Sequence, residues 1–187
     1  MDTVTLLHGG LWEDLDAHRF WHVPGVVAAL RASGLAVHAP DRPRRPPTWE
    51  AEVAHLLPDL PRSVLVAGSN GVTPAVRLAL AAPSLVTRLV LAWPATAHDP
   101  RVDARSAAPA SLLAGGVLRG VADEELAALT MPVAVLPAPD NPAHQRRTAD
   151  ALLRLVPGAV ELPSTPEPPR PDFSAAAFVA ALAGFLA

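Results

Sequence analysis

The chain has 187 residues, enough for one domain (1–187) with a substantial buried core. Half of them are apolar and 18% are charged, which excludes a disordered chain. The net charge of −3 gives no reason to expect nucleic acid or an anionic membrane as partner.

Cysteine is absent, and with it any disulfide, thiolate nucleophile or thiolate-held metal. All 15 basic residues are Arg, and Ala and Pro abound, as in a GC-rich bacterial genome. No signal peptide is visible, and no apolar run approaches the ~18 residues that span a bilayer, so the expectation is a cytosolic protein.

Short apolar runs alternate with amphipathic ones, the pattern of strands and helices around a parallel sheet. Val4 to Leu7 reads as the first strand and Pro24 to Ser33 as a helix closed by Gly34. Leu35 to Ala39 is a second strand, followed by a stiff basic loop, Asp41 to Pro47. Thr48 caps a helix to about Leu57. Ser63 to Ala67 is a strand apolar enough to be buried on both faces, and a helix runs from about Asn70 to Ala82. Arg88 to Trp93 and Pro132 to Pro137 are strands four and five. Between them, 94–130 holds a helix at Asp123 to Leu129 and reads as a small lid or cap. A helix at Gln145 to Leu155, a short strand at Ala159 to Leu162 and a helix at Ser174 to Leu186 complete the chain.

The stretch Ala67-Gly68-Ser69-Asn70-Gly71 passes from a buried strand into a helix within a few residues. Only a sharp turn does that, and it leaves the Ser69 hydroxyl at the apex above the positive end of the helix. The Asn70 N–H is then placed to bind an oxyanion. This motif, with His8-Gly9-Gly10 after the first strand, resembles the α/β-hydrolase family, Ala67 replacing the first Gly of its Gly-x-Ser-x-Gly. The family's first two strands are missing. The resemblance implies a three-layer α/β/α sandwich on a mainly parallel six-stranded sheet of order 2-1-3-4-5-6. In that order both special loops meet at a switch-point crevice.

The resemblance also implies roles. Ser69 is the nucleophile; the Gly10 or Leu11 N–H is a second oxyanion donor on a Gly9-Gly10 loop braced by His8. Asp140, after the fifth strand, stands at the family's acid position, with Asp99 as a substitute. The family's base, a His after the last strand, is missing. Overlaying Pro163 to Glu167 on the usual Pro-Gly-x-Gly-His puts Glu167 in its place, where a neighbouring Asp140 would raise one carboxyl pKa. His144 and His22 are the replacement bases, ahead of His18; His38 and His55 are distant or structural. Trp12, Trp21, His22 and Trp93 are candidate pocket walls.

The first functional expectation is a small serine hydrolase of ester- or thioester-type acyl substrates. The second is a lyase, decarboxylase or cyclase working by acid–base chemistry, and the third a non-catalytic binding protein. No metal is expected, for no HExxH or supported His pair occurs. Neither a Walker A sequence nor GxGxxG occurs, so no cofactor is expected; the partner is a small-molecule substrate.

Overall fold

The computed structural model describes residues 3–187. Six parallel strands form one sheet in the order β2-β1-β3-β4-β5-β6: β1 (Thr3–Leu7), β2 (Ala36–His38), β3 (Ser63–Gly68), β4 (Val86–Ala92), β5 (Val133–Leu136) and β6 (Val160–Glu161). This is the predicted order.

Side chains alternate across a strand, and each buried strand feeds two cores. Val64 and Val66 of β3 join Val90, Ala134 and Leu136 on the face covered by α1 (Val26–Ala32) and α8 (Ala175–Leu186). Leu65 and Ala67 join Leu89, Leu91, Val133 and Val135 on the other. There lie α2 (Trp49–Leu56), α3 (Val72–Ala81) and α7 (Arg146–Leu155). Thr48 caps α2 by accepting from the Ala51 N–H, and Ser174 caps α8 by accepting from Ala177.

Segment 94–130 carries three short helices, not one: α4 (Pro100–Ser106), α5 (Ala110–Leu113) and α6 (Asp123–Leu126). Pro100 sits in the first turn of α4, with Asp99 as N-cap. His18–His22 form one turn of π-helix that stacks the two imidazoles.

Trp21 and Trp93 are not pocket walls. Both are fully buried and pack with Phe178, the Trp93–Phe178 ring centroids 4.9 Å apart. Aromatic area is most stabilising when removed wholly from water, and the α8 face takes both rings. His22 is exposed on the far side of its turn and does not face the crevice. No helix among the described residues is long and apolar enough to cross a membrane.

Candidate active site

β3 ends at Gly68, and Ser69 takes φ +53°, a left-handed conformation that strains a residue with a Cβ. A single tight turn, Ser69–Gly71, then feeds α3. The glycines explain how this turn meets the loop after β1. A Cβ on Gly71 would lie 2.4 Å from the His8 carbonyl oxygen, and one on Gly9 would lie 3.0 Å from the Ser69 Cβ. The two reversals are in contact, which only residues without side chains allow.

The Ser69 Oγ lies 2.9 Å from Nε2 of His144. The same nitrogen lies 3.0 Å from Oε2 of Glu167. His144 comes from the turn after β5, where the Asn141 Oδ1 accepts from the N–H groups of Ala143 and His144. Glu167 comes from the proline-rich loop after β6. That loop is tied down at Thr165, whose carbonyl accepts from the Trp93 indole at 2.8 Å and whose N–H reaches the Pro137 carbonyl. Relative to the pattern implied by resemblance, imidazole and carboxylate have exchanged loops.

The exchange alters the chemistry. The carboxylate does not orient the ring from its far side; Nδ1 of His144 is buried and has no partner among the described residues. A base must leave Nε2 free to accept from the hydroxyl, with the ring proton on Nδ1. The Glu167 carboxylate then stands beside the position that a proton taken from the hydroxyl would occupy.

Asp140 does not join this group. Its exposed carboxylate accepts from the Arg146 N–H at 2.6 Å, at the start of α7. An Asp before a helix satisfies an orphan amide there, and that local use prevails. Asp140 therefore does not pair with Glu167, and the expected carboxyl couple is absent. Asp99 is likewise engaged, by Arg101 and Gln145; these bonds hold its pKa far below the ordinary carboxylate range.

His8 does brace its loop. Its Nδ1–H donates to the Gly9 carbonyl at 2.7 Å, and Nε2 accepts from the Arg42 N–H at 3.0 Å. Burial, aided by the Arg42 charge, pushes its pKa from 6.5 down to about 4. As pH falls from 6.5 to about 4, the unfolded chain takes up a proton that folded His8 refuses, so stability declines through that window. The decline attributable to His8 is about 3 kcal/mol. Urea unfolding of the wild type should show it, and His8→Gln should flatten that pH dependence. An unchanged slope in the variant would assign the titration elsewhere.

Arg42, which the sequence reading left inside a stiff basic loop, is the principal support. Its guanidinium is buried and donates to the carbonyls of His8, Gly9 and Gly10 at 2.8, 3.1 and 2.7 Å. Its Nε lies 2.5 Å from Glu52, which is also fully buried.

One expected oxyanion donor is already engaged. Oε2 of Glu13 accepts from both the Leu11 and Trp12 N–H groups at 2.9 Å. These backbone bonds outweigh burial and lower its carboxyl pKa. The Gly10 N–H has no internal acceptor among the described residues.

A cavity of about 850 Å³ opens over Ser69, lined by Trp12, Glu13, Asn70, Val102, His144 and Glu167 among others. Its size suits a small organic substrate. Of the candidate walls, Trp12 faces it. Among the described residues no group of three or more His, Asp or Glu is placed to hold a metal ion.

No family model and no curated protein matches the sequence. Solved structures do match the fold. An α/β hydrolase from Sphaerobacter thermophilus superposes with TM-score 0.70 at 19% identity, over 100% of this chain and 93% of its own. A predicted CIB-like hydrolase from Thermoplasma acidophilum gives 0.69 at 14% identity, over 99% and 86%. An α/β hydrolase enzyme from the sediment metagenome of the Mar Chica lagoon gives 0.72 at 17% identity, over 98% and 90%. Identities this low carry architecture, not substrate.

Proposed function

We propose that this chain, which has the α/β-hydrolase fold, is a small serine hydrolase of ester- or thioester-type acyl substrates. The observation that carries the reading is the 2.9 Å contact between the Ser69 hydroxyl and Nε2 of His144. Nucleophile and base within hydrogen-bond reach are the first requirement of acyl transfer.

In this reading the Ser69 proton passes to Nε2 as Oγ bonds to the acyl carbon. The oxyanion is held by the N–H groups of Asn70 and Gly10. The protonated ring, stabilised by Glu167, gives its proton to the leaving alkoxide or thiolate as the carbon–heteroatom bond breaks. Water, deprotonated by the same nitrogen, then releases the acid. Segment 94–130 serves as a small lid over the cavity.

A fluorophosphonate probe tests the reading. One equivalent should label Ser69, and Ser69→Ala should abolish labelling. Failure of the folded wild type to react would remove the hydrolase assignment. One observation favours a second reading, acid–base chemistry without an acyl-enzyme: the carboxylate and the hydroxyl share one imidazole nitrogen while the other has no partner among the described residues. That reading expects turnover of a carbonyl compound by a protein the probe does not label.

A further inference from the structure

Resting on that hydrolytic reading, we infer that the Asn70 side chain is a further oxyanion donor, positioned by Arg119 of segment 94–130. A guanidinium only donates, so the Asn70 atom facing Nη1 of Arg119 at 2.8 Å is necessarily the carbonyl Oδ1. The carboxamide NH₂ is thereby left as its other end. Asn70 follows Ser69 directly, and it lines the cavity above the hydroxyl. Among the described residues the NH₂ donates to no acceptor, while Nη1 and Nη2 of Arg119 beside it are both engaged.

Arg119 is held for this task. Its side chain is 2% exposed, and Nη2 donates at 2.6 Å both to the Thr96 carbonyl and to Asp103 of α4. Its own carbonyl accepts from Thr73 of α3 at 2.7 Å. Thr96 also reaches the base: its N–H donates to the Ala143 carbonyl at 2.7 Å, and its hydroxyl accepts from the Gln145 N–H at 2.9 Å. One buried cation thus registers the residue after the nucleophile against the two residues flanking His144.

The need for such a donor arises from the loop after β1. The Leu11 and Trp12 N–H groups are capped by the Glu13 carboxylate, which would repel an oxyanion placed there. That leaves Gly10 as the free donor of this loop, and a side-chain donor on Asn70 would add to it. Removing one side-chain donor of this kind slows acyl transfer by about 10²–10³-fold.

The test is the rate of Ser69 phosphonylation by a fluorophosphonate, with kcat and KM for a p-nitrophenyl ester and the unfolding midpoint of each variant. Asn70→Ala should lower the phosphonylation rate and kcat by about 10²-fold with KM and midpoint little changed. Arg119→Met should reproduce most of that loss, and adding it to Asn70→Ala should cost little more in rate. Arg119→Lys, which retains a donor, should recover part of it. Because Arg119→Met leaves Asp103 unpaired and risks misfolding, Asn70→Ala and Arg119→Lys decide the matter. An Asn70→Ala rate within about threefold of wild type overturns the inference but leaves the hydrolase reading standing. A wild type that is never labelled overturns both.

Discussion

His144→Ala should slow phosphonylation of Ser69, and hydrolysis of a p-nitrophenyl ester, by about 10²–10⁴-fold, the usual contribution of a positioned general base. The fold should survive, because the ring lies at the crevice and not in either main core. Glu167→Gln should cost far less, roughly tenfold, since it weakens one charge-assisted contact to an imidazolium and retains the shape. In a conventional triad the amide would also impose the wrong tautomer through Nδ1. Here the carboxylate does not touch Nδ1, so that penalty does not arise. Rates of both variants, measured from about pH 5 to 9, decide the ranking. If Glu167→Gln proves the more damaging, the carboxylate is the proton acceptor and the assignment of His144 as base falls.

The second large effect is on stability. Arg42→Met should destabilise the protein by about 3–5 kcal/mol, because it strands a wholly buried Glu52 without its counter-ion. The same change removes the donor to three successive carbonyls of the His8-Gly9-Gly10 loop. Urea unfolding at neutral pH measures the loss. Should the single variant fail to fold, the double variant Arg42→Met/Glu52→Gln restores the comparison. It carries no stranded charge and should recover a substantial part of the deficit. A single variant within about 1 kcal/mol of wild type would show that the pair is no keystone.

The elements and the Ser69 turn were legible because they are written locally. Apolar runs of strand length, the Thr48 cap and small residues around Ser69 each act within a few positions. The site's supports are not local. Arg42 meets Glu52 ten residues on and His8 thirty-four residues back, and Arg119 meets Asn70 across forty-nine. A run such as Asp41 to Pro47 does not announce which of its three arginines turns inward.

Asp140 shows the opposite failure. Its position after β5 matched the expected acid, but the amide at the start of α7 was nearer than the imidazole. His144, four residues later, was offered by the same stretch as a replacement base. Its selection depended on a turn geometry set by Asn141. Trp21 and Trp93 were misplaced because an aromatic near a crevice and an aromatic beneath it have the same sequence signature.

The exchange of loops between imidazole and carboxylate bears on how chains of this architecture are sorted. A filter that demands a histidine downstream of the final strand would file this one among the dead copies, despite a ring nitrogen 2.9 Å from the hydroxyl. Sorting by proximity in space instead of rank along the polypeptide would keep it among the chains worth assaying.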